Sequence, residues 1–412
     1  MGILSVLRNR SYTVFVAGAS VGTIGNWIQT GALTWYVSEN TGSNAMVGAT
    51  NLMACLPAIL LILFAGALAD RMNRKKLIII NQVCMMLGAL ALAVSTSFGW
   101  PTIGVIFAIV LITGISTALN TPAWQAVIPD LLSKEDVLHG VTLNNLLKRV
   151  ARFIGLFLGG LVLSTWSAST AFYFNAASYL FVVVAVASIG REAAPAPQPS
   201  WKTLAPLADQ VAEGWRYIRR FEWAKVTISI LGAICLFGAS TTVLLPSLTT
   251  DVLGRSASAY SWLWSSAALG SFIGVVALTI LARRYHGKAL LKISSMLFGP
   301  LLLGVCFSRS YPVTIALMAG LGGSFLMLNS TVVAVLDTHT DPDMRGIVLA
   351  FYSLAQTAGF SVGGQLVGLL ADAISTPWAF FVCGSICTML ALVFILFPRH
   401  IVDSLSIRAA KT

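Results

Sequence analysis

Charged residues are scarce in this sequence. Only 10% of its 412 residues are Asp, Glu, Lys or Arg, whereas 57% are hydrophobic, and the mean hydropathy is +0.84. This composition excludes a soluble globular domain. The net charge is +11, which in a soluble protein would suggest nucleic acid binding. Here the charges separate long apolar runs, so anionic lipid headgroups and membrane topology explain them better.

Residues that carry enzyme chemistry are also few. The chain has four histidines, none arranged with a nucleophile, and no phosphate-binding loop. All six cysteines lie inside apolar runs, which argues against disulfides and metal sites. We therefore expect no enzyme activity, no metal and no cofactor. A nucleotide-binding domain would not fit in this length, so any transport is expected to use a gradient.

Apolar runs of 18 or more residues recur along the chain, each long enough to cross a hydrocarbon core about 30 Å thick. They predict an all-α membrane protein with twelve spans, at 11–37, 46–69, 77–98, 101–122, 143–166, 169–190, 224–250, 259–282, 289–308, 311–336, 346–371 and 376–397. This layout puts 24 of the 26 lysines and arginines on one side, leaving only Arg255 and Arg309 on the other. Both termini are therefore expected in the cytoplasm, with the protein in the cell (inner) membrane. The first span is expected to be an uncleaved anchor, because no cleavage site follows it.

The twelve spans divide into two halves. Residues 191–223 begin with a proline- and alanine-rich linker and continue into an amphipathic helical pattern. We predict a six-helix bundle at 1–190, a cytoplasmic linker with an amphipathic helix at 191–223, and a second six-helix bundle with a short cytoplasmic tail at 224–412. Gly155–Gly160 in the fifth span resembles Gly359–Gly364 in the eleventh, 204 residues later. Such repeats are typical of secondary transporters, whose substrate site lies between the halves near the bilayer midplane.

Polar residues inside apolar spans are costly and are therefore candidates for a substrate cavity. In the first span Asn26, Gln29 and Tyr36 share one face, beside Trp27. The alternative is that these side chains form hydrogen bonds between helices without contacting a ligand. The cavity candidates in other spans are Thr113, Ser116, Asn120, Arg152, Asn329 and Gln356.

Lys148, Arg149 and Arg152 open the predicted fifth span. Three positive charges at the inner mouth of a cavity would attract an anionic or catecholate-like substrate. The alternative is that their side chains reach cytoplasmic headgroups and set the topology. No carboxylate lies at the centre of a predicted span. The proton-coupling candidates are therefore Asp337, at the inner end of the tenth span, and Glu39, at the outer end of the first.

One acid and four bases are packed into the short stretch after the second span. It reads Gly66-Ala67-Leu68-Ala69-Asp70-Arg71-Met72-Asn73-Arg74-Lys75-Lys76. The positive-inside rule accounts for the bases but not for Asp70. The stretch resembles the signature loop between helices 2 and 3 of the major facilitator superfamily. Asn73 stands where that loop usually has glycine, and asparagine tolerates the same backbone conformation.

Further stretches resemble the enterobactin-exporter-like branch, also called transmembrane secretion effectors, which includes macrolide-efflux proteins. The matching residues include Pro122-Ala123-Trp124-Gln125-Ala126, Leu245-Pro246, Asp343-Met344-Arg345-Gly346 and Gly368-Leu369-Leu370-Ala371-Asp372. The resemblance implies two pseudo-symmetric bundles of six helices. Where the branch usually has glycine-proline, this chain has Gly155-Leu156, a difference that weakens the case for proton antiport.

The resemblance also implies a set of gate residues. Asp70 is expected to face the start of the eleventh span near Arg345, and Arg71 or Arg74 to pair with Asp130. Such contacts would hold the inner side closed and break during alternating access.

The sequence as a whole predicts a monomeric secondary transporter in a bilayer with anionic cytoplasmic headgroups. We expect it to export a small amphipathic organic molecule, siderophore-like or drug-like, coupled to protons. Two alternatives stay open at this point. One is a uniporter or importer of a small metabolite, and the other is a non-transporting membrane receptor or scaffold. No nucleic acid partner is expected.

Overall fold

The computed structural model describes residues 3–69, 73–99, 102–133, 135–189, 205–285 and 287–396, and within these ranges the chain is helical and contains no strand. A 3-10 turn, Ile3–Arg8, precedes α1 (Arg10–Thr41), α2 (Asn44–Ala69), α3 (Arg74–Ser97), α4 (Ile103–Leu131), α5 (Val137–Thr165) and α6 (Ala168–Ser188). The second half contains α7 (Ala205–Arg220), α8 (Glu222–Phe237), a single turn α9 (Leu245–Ser247), α10 (Ala257–Leu281), α11 (Gly287–Phe307), α12 (Tyr311–His339), α13 (Arg345–Ile374) and α14 (Thr376–Leu396). The prediction of an all-α fold is confirmed.

Ten helical segments of the described chain are long and apolar enough to cross a membrane. They are α2, α3, α4, α6, α8 with its continuation to Val252, α10, α11, α12, α13 with the turn before it, and α14. Helices α1 and α5 are long enough, with 32 and 29 residues. Their middle turns, however, carry amides in α1 and three cations in α5. A total of twelve spans therefore stays a prediction.

Helices α4 and α5 extend furthest beyond their predicted spans. Helix α4 continues to Leu131, nine residues past the predicted end, and contains both Pro122 and Pro129. Membrane helices tolerate proline because neighbouring groups satisfy the freed carbonyls. Helix α5 begins at Val137 instead of residue 143. Arg152 therefore lies fifteen residues into the helix, and the expectation that the cations open the membrane-spanning part of α5 stays a prediction.

The predicted seventh span is not one continuous α-helix. Helix α8 ends at Phe237, before Gly238. A 3-10 segment, Ala239–Leu244, then leads through α9 into a π-helical turn, Leu248–Val252. Irregular backbone of this kind is tolerated at membrane depth only where it is covered by protein or faces a water-filled space. Thr241, Leu245 and Thr249 in this segment are accordingly buried.

The chain forms two compact units. The first comprises Met1–Asn40, Met53–Thr203 and Ala257–Ser261, and the second comprises Thr41–Leu52, Leu204–Ser256 and Trp262–Thr412. The first turns of α2 thus group with the second unit, whereas the rest of this helix groups with the first. The domain boundaries at 190 and 224 stay predictions.

The two units pack equivalent helices through equivalent glycines. In the first unit Gly155 of α5 lies against α1, and a Cβ there would be 2.6 Å from the carbonyl oxygen of Ile24. In the second unit Gly359 of α13 lies against α8, and a Cβ there would be 2.8 Å from the carbonyl oxygen of Gly232. Small residues allow helix backbones to approach this closely. The internal repeat is therefore present in the packing as well as in the sequence.

Candidate functional site

Amide side chains in the middle turns of α1 bond to α6. Asn175 donates a hydrogen bond from Nδ2 to Oε1 of Gln29 at 2.8 Å, and the Tyr179 hydroxyl donates to Oδ1 of Asn26 at 3.3 Å. Asn175 and Tyr179 are buried, whereas Asn26 is exposed. These bonds agree with the alternative interpretation, in which the amides form hydrogen bonds between helices without contacting a ligand. Because the Asn26 side chain is exposed, it is accessible to a ligand, and its role in a cavity stays a prediction.

The α6 partners Asn175, Ser178 and Tyr179 were not predicted from the sequence. Their spacing of three and four residues places them on one helical face, which was the available signal. Ser178 donates to Oδ1 of Asn175 at 3.0 Å, and this bond orients the amide toward Gln29. A Cβ at Gly25 of α1 would overlap the Ser178 hydroxyl, so glycine is required there for the two helices to meet.

Arg152 of α5 lies over the indole of Trp27, with Cζ 4.2 Å from the ring centroid. It stands at the middle of α5, about 22 Å along the axis from Val137 at 1.5 Å per residue. Its side chain is exposed, and no described carboxylate forms a salt bridge with it. A cation within a predicted membrane helix is costly in free energy and is therefore a candidate for a functional role. Beside an aromatic face, this cation can bind an anionic group that is joined to an aromatic or apolar body.

The repeat positions in the second unit carry a neutral polar group. Gln356 and Tyr352 follow Arg152 and Lys148 by 204 residues. The Tyr352 hydroxyl donates to Oδ1 of Asn329 at 2.5 Å, and Nε2 of Gln356 donates to the same oxygen at 2.9 Å. Tyr352 was missed in the sequence, although its relation to Lys148 could have identified it. At these equivalent positions, the first unit therefore has cations and the second unit has neutral polar side chains.

The α4 candidates are Thr113, Ser116 and Asn120, and the first two bond within their own helix. Thr113 and Ser116 donate their hydroxyl hydrogen bonds to carbonyl oxygens one turn earlier in α4. The Thr113 methyl group packs against Gly88 of α3, where a Cβ would overlap it. Oδ1 of Asn120 is buried without a hydrogen bond among the described residues. The structure therefore places Thr113 at the α3–α4 contact, and a ligand role for all three residues stays a prediction.

The proton-coupling candidates lie at helix ends. Oδ1 of Asp337 is 3.1 Å from Nε of Arg345, and the two side chains are 51% and 45% exposed. Glu39 is exposed and accepts a hydrogen bond from the Trp35 indole at 3.1 Å. Tyr36, three residues earlier, is half-buried. Neither carboxylate lies near the middle of its helix, where the amides and Arg152 are found.

Arg74 and Asp130 form the ion pair predicted at the start of α3. Nη1 of Arg74 is 2.7 Å from Oδ2 and 2.9 Å from Oδ1 of Asp130, and the side chains are 21% and 20% exposed. A cation at a helix N-terminus and an acid at a helix C-terminus each oppose the dipole of their own helix. Pairing offsets both costs. Asp70 and Arg71, the other predicted gate residues of this stretch, lie outside the described residues.

The Arg74–Asp130 pair is expected to couple energetically. Asp130→Asn and Arg74→Gln should each lower thermal stability, and the double variant should lose less than the sum, with a coupling of about 1–2 kcal/mol. Thermal denaturation of the purified protein in detergent measures this cycle. The exposed Lys76→Gln is the matched control and should change little. Strictly additive losses from the two substitutions would show that the contact contributes no energy.

The chain matches the transmembrane secretion effector family over residues 1–410. It belongs to this family. Over 377 residues it is 27% identical to the staphyloferrin A transporter of Staphylococcus aureus, covering 90% of this chain and 93% of that protein. It is 24% identical over 401 residues to the multidrug efflux pump Tap of Mycolicibacterium fortuitum, covering 94% of each. It is 26% identical over 328 residues to the enterobactin exporter EntS of Escherichia coli, covering 77% of this chain and 74% of that protein.

Solved structures show the same fold. A mutant of the nucleoside transporter NupG superposes with a TM-score of 0.80 at 12% identity, covering 93% of this chain and 99% of that one. A POT family transporter bound to 5-aminolevulinic acid gives 0.75 at 11% identity, with 95% and 97% covered. The family match and the curated relatives confirm the resemblance to the major facilitator superfamily. This secretion effector family member is a multi-pass membrane transporter of small molecules, not an enzyme.

Proposed function

We propose that this protein exports a small amphipathic organic molecule, siderophore-like or drug-like, by proton-coupled alternating access. The observation that carries the proposal is the exposed Arg152 guanidinium over Trp27, with the Asn26 amide in the same unit. A guanidinium recognises carboxylate or catecholate oxygens, and an indole packs against an aromatic or apolar body. The named cargoes of the staphyloferrin A and enterobactin relatives support export of a siderophore-like molecule.

In this proposal the protein is a monomer in the inner membrane of the cell. Both of its termini lie in the cytoplasm. The distribution of lysine and arginine supports this orientation. Helix α7 supports it further, because exposed Trp215 and the bases Arg219 and Arg220 suit a surface of anionic headgroups. Tyr217 of α7 donates a hydrogen bond to Asp341 at 3.1 Å and so holds the helix against the α12–α13 turn.

Proton coupling is proposed to act through Asp337 or Glu39. Protonation of Asp337 would remove the charge that pairs with Arg345, the first residue of α13. The start of α13 would then lose one of its attachments to α12. This gives a physical route from proton binding to movement of a helix that also carries Gln356 and Tyr352.

Transport into inverted membrane vesicles tests the proposal. The probes are 2,3-dihydroxybenzoate, citrate and ethidium, which differ in charge and aromatic character. With an acid interior, we expect uptake of at least one probe above that of vesicles lacking the protein, falling to their level when nigericin collapses the pH gradient. The measurement is the initial rate of uptake.

Each rival function has its own outcome in this experiment. Uptake that is unchanged by nigericin would replace the proposal with a uniporter. Accumulation only in right-side-out vesicles would replace it with an importer. A membrane receptor or scaffold predicts uptake no higher than in empty vesicles, and no difference between the parent protein and a variant combining Asn26→Ala with Gln29→Ala.

A further inference from the structure

Asp372, near the C-terminal end of α13, binds the first turn of α2. Its Oδ1 accepts hydrogen bonds from the backbone N–H of Asn44 at 2.8 Å and from Nδ2 of Asn44 at 3.0 Å. Its Oδ2 accepts from the Ser43 hydroxyl at 2.6 Å and from the backbone N–H of Ala45 at 3.0 Å. The carboxylate therefore caps α2 at the end where free N–H groups and the helix dipole favour negative charge.

Asn44 extends this contact into a larger network. Its Oδ1 accepts a hydrogen bond from the Ser247 hydroxyl at 2.6 Å, and Ser247 is in turn 3.1 Å from the Thr376 hydroxyl. Asn44, Ser247 and Thr376 are all buried. Within the second unit, the start of α2 is thus joined to α9, to the start of α14 and, through Asp372, to the end of α13. The hydrogen bonds in such a network strengthen one another, so the loss of one weakens the others.

A seam of glycines continues from this network along α2 and α13. A Cβ at Gly368 would overlap the carbonyl oxygen of Asn44, and a Cβ at Gly48 would overlap the carbonyl oxygen of Gly364. The seam has few protruding side chains, because both helices present glycine there. At the end of the seam, the hydrogen bonds to Asp372 add directional contacts to this close backbone packing.

An open cavity of about 500 Å³ lies beside the network. Its lining includes Asn44, Asp372 and Thr376 from the network, together with Asp251 and Arg309. Asp251 is exposed and accepts a hydrogen bond from Thr250 at 2.6 Å, not from α2. It therefore provides a second carboxylate on the same cavity that lacks the capping role.

The sequences at the ends of α2 and α13 follow one pattern. Helix α2 is followed by Asp70 after Gly66-Ala67-Leu68-Ala69, and α13 reaches Asp372 after Gly368-Leu369-Leu370-Ala371. The predicted topology places these two acids on opposite sides of the membrane. Asp70, outside the described residues, is expected to act at the inner side. The cap formed by Asp372 is the corresponding contact at the other side.

We propose that Asp372 is an outer latch, a positioning residue that holds the first turn of α2 against α13 and releases it when the outer side opens. The outer position of the latch rests on the membrane topology that belongs to the proposed function. Loss of the latch favours the outward-open state, so fewer molecules can bind substrate from the cytoplasm. KM for the exported probe then rises more than kcat falls.

Thiol labelling tests the latch in the full-length protein with its six native cysteines replaced. Ala371→Cys is the reporter, because Ala371 lines the cavity beside Asp372 and is only 4% exposed. Intact cells are treated with a membrane-impermeant maleimide. Asp372→Asn is expected to raise the labelling rate about tenfold, since charge-assisted bonds to the α2 donors are lost. Asp372→Glu should restore most of the protection, and Asp251→Asn should leave the rate unchanged.

Three results would overturn the latch. They are equal labelling of Asp372→Asn and the parent, an equal rise in Asp251→Asn, and a rise confined to inverted vesicles. Should Asp372→Asn fail to fold, as judged by gel filtration, Ser43→Ala removes a single donor and should raise the rate about threefold. The labelling needs neither substrate nor a proton gradient. Failed export with successful labelling would therefore count against the proposed function alone.

Discussion

Replacing Arg152 with glutamine is expected to reduce kcat/KM for an anionic probe about 10- to 100-fold, the range for losing one charged hydrogen-bonding partner. The reason is its position: the guanidinium lies in the middle of α5 over Trp27, and no described carboxylate neutralises it. Glutamine keeps hydrogen-bonding capacity but removes the charge. Initial rates of 2,3-dihydroxybenzoate uptake into inverted vesicles measure the effect.

Arg149→Gln is the matched control for this substitution. Arg149 is exposed in the same helix, three residues earlier, but unlike Arg152 it lies over no aromatic ring among the described residues. Its loss should therefore change kcat/KM by no more than about twofold, as for an exposed charge without a stacked partner. Arg152→Lys should retain part of the activity, because lysine keeps the charge but not the planar group that stacks on the indole. Equal losses in Arg149→Gln and Arg152→Gln would mean that Arg152 contributes only general positive charge.

Gly363→Ala is expected to have the largest effect on folding. A Cβ at Gly363 of α13 would overlap the backbone carbonyl oxygen of Leu236 in α8, and a helix backbone cannot move aside as a flexible side chain can. Overpacking of this kind costs about 1–3 kcal/mol or more. We expect a lower melting temperature and less monodisperse protein in fluorescence-detected gel filtration.

The same substitution at Gly346 separates packing from helix propensity. Gly346 lies in the same helix, and a Cβ there would meet no atom within 4 Å. Gly346→Ala should therefore be neutral or stabilising by about 0.5–1 kcal/mol, since alanine favours a helix. A melting temperature that changes in the same direction and by the same amount in both variants would refute the close α8–α13 contact.

Membrane insertion and family membership could be predicted from the sequence because they depend on local composition. Apolar runs partition into the bilayer wherever they occur, and lysines and arginines between them resist crossing. The stretch from Gly66 to Lys76 and the matching glycines at Gly155 and Gly359 then indicated the superfamily and its internal repeat. Helix α4 nevertheless continues past its predicted span and α5 begins before its own, since a proline or a charge within a long helix does not end it.

The partners of the polar side chains were decided by the tertiary structure. The sequence by itself determined that Asn26, Gln29, Arg152 and Asp372 stand in or beside membrane helices, where unpaired polar groups are costly. It did not determine that Gln29 bonds Asn175, that Arg152 lies over Trp27, or that Asp372 caps α2. Those contacts depend on which helices are neighbours and how each is rotated. The choice of neighbouring helices and the rotation of each helix follow from packing through glycines, between segments that are distant in the chain.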